Sequence, residues 1–259
     1  MSRGLAVVTG ATAGIGREFA EQLGARGHDL LLVARDRQRL AATAESLASS
    51  HGVEVEAFPA DLSRDDDVTR LVERLAASPR LALLVNNAGF GTRGRLAEAD
   101  IDLQEAMLRL HVLAPMRLAR AALPALLARR DGGVINVSSV AGFIFSAGNV
   151  NYCATKAYLT TFSEGLAAEL DGTGVRVQAL CPGFTRTEFH ARMTGPVERH
   201  PRFLWLSARS VVAYSLQCLE RGGPVVCVPG FRWRLVVLAI RLTPRSLIGW
   251  VTRRQYSRV

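Results

Sequence analysis

The chain has 259 residues, 49% of them hydrophobic and 21% charged, which is enough apolar material for one sizeable core and excludes a disordered chain. Its formal net charge is +9, but seven Arg and no acidic residue lie between Phe231 and Val259. The basicity is therefore largely local, and no nucleic-acid partner is expected from Arg content alone. No low-complexity tract, fixed-period repeat or Pro/Gly/Ser-rich linker divides the chain. One α/β domain is expected over residues 1–230, followed by a basic, apolar extension over 231–259. Cys153, Cys181, Cys218 and Cys227 are scattered without close pairing, so reduced, mostly buried thiols and no metal site are expected. The N-terminus runs directly into a strand-like segment, and no stretch approaches the roughly twenty apolar residues of a bilayer span. A cytoplasmic chain is the expectation.

In chain order, short apolar runs alternate with helix-like segments. Residues 5–8 read as a strand, 16–26 as a helix, 29–34 as a second strand and 53–60 as a third. A helix over 65–77, a strand over 81–86, a long helix over 102–129 and a strand over 134–138 follow. A helix over 151–170 and strands over 175–180 and 225–228 complete the pattern. Repeated strand, helix, strand units predict a Rossmann-like, doubly wound parallel sheet with helices on both faces and ligands at the carboxyl ends of the strands.

The first strand leads into Thr9-Gly10-Ala11-Thr12-Ala13-Gly14-Ile15-Gly16. Glycines between a strand and a helix let backbone approach a pyrophosphate, whose charge the free N–H groups and helix dipole favour. The second strand ends at Arg35, Asp36 and Arg37. Arg35 offers a bidentate cation to a 2′-phosphate and so favours NADP over NAD, whereas Asp36 takes a ribose role if the register differs by one.

Tyr152 and Lys156 are four residues apart on one expected helix, with Ser139 thirteen residues upstream of Tyr152. Spacing of i and i+4 puts the phenol and the ammonium on one face. A nearby cation favours phenolate, so the Tyr152 pKa is expected to fall into the range of a general acid or base. Ser139 is placed to hydrogen-bond the same substrate oxygen.

The glycine turn, Asn86-Asn87-Ala88-Gly89, Ser139, Tyr152-x-x-x-Lys156 and Pro182-Gly183 stand in the order and spacing of the short-chain dehydrogenase/reductase family, which the chain resembles over about residues 5–230. The resemblance implies reversible hydride transfer between NADP(H), or NAD(H), and a carbonyl or secondary alcohol. It casts Tyr152 as general acid/base, Lys156 as the residue that tunes it and binds the nicotinamide ribose, and Ser139 as the substrate-oxygen donor. Gly10, Thr12, Gly14, Ile15 and Gly16 then bind the cofactor pyrophosphate, and Asp61 and Leu62 the adenine. Asn87, Ala88 and Gly89 support the adenosine side, and Pro182, Gly183 and Thr187 border the nicotinamide. Ser138 and Asn86 read as structural. A homodimer or homotetramer is the family's default, through the long helices flanking the fifth strand.

Two segments depart from the family. Where members carry Asn in a proton relay behind the Lys, this chain has His111, either a relay residue or a buried neutral imidazole. The expected lid, about residues 184–210, holds Phe184, Phe189, Met193, Phe203, Leu204 and Trp205, which suggests an apolar small-molecule substrate; Arg192, Arg199 and Arg202 would suit an anionic tail such as an acyl thioester. The extension past Gly230 is expected to pack on its own domain or on a second subunit, with peripheral membrane contact as the alternative. A nucleotide-binding regulator or scaffold on the same fold is the competing function.

Overall fold

In the computed structural model, which describes residues 3–191 and 201–256, the apolar runs form one parallel sheet. β1 (Leu5–Thr9) leads through α1 (Gly14–Ala25), β2 (Asp29–Ala34), α2 (Arg37–His51), β3 (Val55–Pro59) and α3 (Asp65–Ala76) to β4 (Leu81–Asn86). Next come α4 (Ile101–Leu108), α5 (Ala114–Arg129), β5 (Gly133–Val137), α6 (Val150–Glu169) and β6 (Arg176–Leu180). β7 (Thr185–Arg186), α7 (Glu188–Ala191), β8 (Leu206–Ser207), α8 (Ala208–Glu220), β9 (Val226–Cys227), α9 (Phe231–Leu242) and α10 (Arg245–Tyr256) complete the described chain.

The sheet order is β3-β2-β1-β4-β5-β6-β9. Winding outward from β1 in one direction and from β4 in the other leaves a crevice at the carboxyl ends of these two strands. Val8, Leu30, Leu32 and Leu83 meet Phe19, Leu40 and Leu216 on one face, while Val7, Leu31, Val33 and Leu84 meet Leu71, Leu118 and Leu166 on the other. Successive side chains thus enter opposite core layers, so the strands read as continuous apolar runs.

Helix α2 is not among the expected elements, because only Leu40, Thr43, Ala44 and Leu47 of it are buried. Its start is fixed by Asp36, whose side chain accepts the Arg39 N–H at 2.9 Å. The single helix expected over 102–129 is divided by a π-helical turn, Arg109–Leu113. Pro115 has no N–H for the carbonyl of His111 four residues before it, which favours a local departure from α geometry there. The combined helix Ile101–Arg129 is long and apolar enough to cross a membrane, contrary to expectation. Ala114, Leu118, Ala119, Ala122 and Leu126 nevertheless lie in the second core layer, so it serves as a core helix.

Candidate active site

The turn from β1 into α1 has the form of an anion cradle. Gly10 and Gly14 take φ of 68° and 53°, which a side chain would strain. A Cβ on Gly16 would lie 2.2 Å from the Gly10 carbonyl oxygen and 2.3 Å from Asn87 Nδ2. No side chain caps Ala13 at the start of α1, so its first N–H groups suit a pyrophosphate. Thr12 and Ile15 border this turn half-buried. Thr9 Oγ1 accepts the N–H groups of Asn87 at 2.9 Å and Ala88 at 3.0 Å, while Asn87 Nδ2 donates to the Thr9 carbonyl at 2.8 Å. These bonds fix the end of β4 against the cradle.

Arg35 follows β2 with its side chain largely exposed, and its guanidinium lies 3.9 Å from Asp61. Asp61 also accepts the Ser63 hydroxyl at 2.7 Å. Leu62 puts its side chain into the core. Asp36 is engaged in capping α2, while Arg35 turns its side chain toward Asp61. Sequence reasoning missed a neighbouring clamp: Arg39 on α2 donates both terminal nitrogens to Glu188 on α7, at 3.0 and 2.5 Å. Thr187, beside Glu188, lies 3.0 Å from where a Cβ on Gly14 would stand, so the chain after β7 crosses directly over the glycine turn.

Ser139, Tyr152 and Lys156 come together at the carboxyl end of β5. Ser139 follows β5, and its hydroxyl oxygen accepts the Ala141 N–H at 3.1 Å. Lys156 Nζ lies 5.6 Å from the Tyr152 ring centroid and donates to the Val137 carbonyl at 2.8 Å. The pKa of Tyr152 does not fall as expected. Burial pushes it up to about 12, against which the Ser139 hydrogen bond works in the opposite direction. Burial likewise brings Lys156 down to about 8. Desolvation is the largest cause of both shifts, at the half-buried Tyr152 as at the buried Lys156, so the phenol is protonated at neutral pH. Ser138 donates to the Lys156 carbonyl at 2.7 Å, and Asn86 donates to Asn136 Oδ1 at 2.8 Å; both bonds tie elements of the scaffold together.

His111 projects from the π-helical turn and is 1% exposed. The Thr155 hydroxyl donates to the Tyr152 carbonyl at 2.9 Å, so its oxygen is left to accept from His111 Nδ1 at 3.0 Å. His111 Nε2 accepts the Phe90 N–H at 3.2 Å. One tautomer, neutral with the proton on Nδ1, satisfies all three bonds. Burial and the nearby Lys156 hold the His111 pKa well below its ordinary 6.5, which keeps the ring neutral. A Cβ on Gly89 would stand 2.7 Å from Nε2, so the glycine admits the imidazole.

Pro182 accepts the Val140 N–H at 3.1 Å. Gly183 lies flat against Trp233 of α9: an added Cβ would be 1.9 Å from the indole. Trp233 Nε1 donates to the Leu204 carbonyl at 2.8 Å, and Phe184 packs between Trp205 and Trp233 with ring centroids 5.6 and 5.2 Å away. Of the expected lid residues, Phe184 and Leu204 thus pack against the domain, with Trp205 against Phe184. Phe189 has its ring 6.0 Å from Tyr152 and Phe203 is exposed. Met193, Arg192 and Arg199 lie outside the described residues.

A doubly wound sheet, a glycine cradle at its switch point and a cluster of half-buried Ser139 and Tyr152 against buried Lys156 define a dinucleotide-dependent oxidoreductase. Residues 4–196 match the short chain dehydrogenase family model. The chain belongs to that family and is an NAD(P)-dependent dehydrogenase/reductase. It is 36% identical to the short-chain dehydrogenase from Sphingobium yanoikuyae solved in complex with NADPH, with a TM-score of 0.83 over 92% of this chain and 94% of that one. The bulky-bulky ketone specific alcohol dehydrogenase from Comamonas testosteroni is 30% identical, with a TM-score of 0.80 over 93% of each chain. The 3-oxoacyl-[acyl-carrier-protein] reductase of Aquifex aeolicus is 32% identical over 75% of this chain and 79% of its own length.

Proposed function

We propose that the chain is an NADP(H)-dependent reductase of an apolar ketone or 3-oxoacyl-type substrate, working in the cytoplasm as a homodimer or homotetramer. The observation that carries this reading is the meeting of Ser139 and Tyr152 with Lys156, whose Nζ lies 5.6 Å from the Tyr152 ring centroid, the phenol being held protonated by desolvation. Such a phenol is an acid held ready for an alkoxide, a far stronger base. A bound nicotinamide would supply the hydride. Ser139 is assigned to hold the substrate oxygen, Tyr152 to donate the proton to it, and Lys156 to bind the nicotinamide ribose and replenish that proton. The residues suit the cofactor. Gly10, Thr12, Gly14, Ile15 and Gly16 form the pyrophosphate cradle, and Arg35 is exposed for a 2′-phosphate. Asp61, Leu62, Asn87, Ala88, Gly89, Pro182, Gly183 and Thr187 complete the cofactor groove. NAD(H) is the alternative cofactor.

His111 is assigned a positioning role. It ties the Gly89–Phe90 turn to Thr155 on α6, one residue before Lys156, through bonds at 3.2 and 3.0 Å. Phe189, beside Tyr152, supports an apolar substrate, and the Comamonas enzyme's bulky-bulky ketone specificity supports a ketone. Exposed Leu103, Leu108, Leu113, Met116 and Leu127 along α4, the π-helical turn and α5 support association of two copies. The test is NADPH oxidation against bulky ketones and 3-oxoacyl thioesters. Tight cofactor binding without turnover on any of them would favour the regulator instead.

A further inference from the structure

Helix α9 has two apolar faces. One buries Trp233 and Val237 against the domain. The other carries Phe231, Leu235, Leu238 and Leu242, which are 65, 50, 53 and 76% exposed. Their spacing of four, three and four residues aligns them in one stripe along the helix. Beyond Pro244, α10 continues the apolar surface with exposed Leu247 and Trp250. Arg232, Arg234, Arg241, Arg245, Arg253 and Arg254 are all exposed on the same two helices, and no acidic residue occurs from Phe231 onward. Each helix has 12 residues and the pair is bent by 107°, too short and too bent for the roughly twenty-residue span of a bilayer.

We propose that α9 and α10 dock in the plane of an anionic lipid surface, with Phe231, Leu235, Leu238, Leu242 and Trp250 entering the acyl boundary and the exposed arginines other than Arg232 meeting the phosphates. Exposed apolar residues flanked by exposed Arg, in a segment without acidic residues, are the composition of an interfacial helix. A second copy suits this face poorly, because a two-fold contact would set its arginines against themselves. The opposite face of α9 reaches the substrate side: Arg232 donates to the Phe203 carbonyl at 3.0 Å and Trp233 to that of Leu204 at 2.8 Å. Docking therefore places the chain after Gly183 next to a reservoir of apolar molecules. That purpose rests on the proposed reductase activity, whereas docking itself does not.

The test is flotation of the full chain with phosphatidylcholine vesicles, with and without phosphatidylglycerol. Flotation is expected with the anionic vesicles and should weaken with salt. Leu235→Glu combined with Leu238→Glu should lower partition about tenfold or more, with NADPH oxidation on a water-soluble ketone unchanged. Absence of flotation with anionic vesicles, equal flotation with neutral ones, or flotation that survives the double substitution would overturn the proposal. So would a double variant that loses only self-association in light scattering, which would assign the stripe to a second copy. Flotation is read without turnover, so failure of docking and failure of the reductase assignment are separately visible.

Discussion

Replacing the site lysine should make the apo chain more stable while destroying its activity. Lys156 is 5% exposed, and burial brings its pKa from 10.5 to about 8. Below about pH 8 the folded chain carries the cost of the buried charge. Between about 8 and 10.5 the folded state releases that proton while the unfolded state keeps it, so stability rises with pH across this window. The difference corresponds to about 3 kcal/mol. Lys156→Met retains most of the packing and loses the bond to the Val137 carbonyl, a cost of about 1 kcal/mol. At pH 7 the variant should therefore be more stable by about 2 kcal/mol, and the advantage should disappear near pH 10. Urea denaturation without added cofactor at both pH values measures this. A variant less stable at pH 7, by a margin that does not change with pH, would refute the assignment of a buried, destabilising ammonium.

Gly183→Ala should cost about 3 kcal/mol and weaken cofactor binding, because its methyl would collide with Trp233; thermal denaturation and the NADPH KM read both effects, and adding Trp233→Leu should restore part of the loss. His111→Ala should lower kcat about tenfold by loosening the Phe90 and Thr155 contacts. Its pH–rate profile should not move, since the ring is already neutral, and loss of a titration near pH 6 would contradict that assignment. Arg35→Ser should raise the KM for NADPH about tenfold or more while leaving that for NADH little changed.

Much of this architecture was legible in the sequence because a parallel sheet covered on both faces leaves uninterrupted apolar runs. Leu81–Asn86 is buried throughout and stands out; α2, with four buried residues among fifteen, does not. The Ser139, Tyr152 and Lys156 grouping was legible through spacing and family resemblance. The direction of the Tyr152 pKa was not, because it depends on how deeply the phenol and ammonium are buried rather than on their separation along a helix. Nor could the sequence show that Trp233 lies on Gly183, or that Arg39 reaches Glu188. Those contacts join distant segments that share no periodic pattern.

Transfer of deuterium from NADPH labelled at the nicotinamide C4 position to a bulky apolar ketone tests the proposed reaction most directly. Label should appear stoichiometrically at the carbinol carbon of the product with the native chain. It should fall to background with Tyr152→Phe, while NADPH binding is retained. Equal label transfer by Tyr152→Phe, or none by the native chain across bulky ketones and 3-oxoacyl thioesters, would contradict the assignment of Tyr152 as the proton donor of a carbonyl reductase.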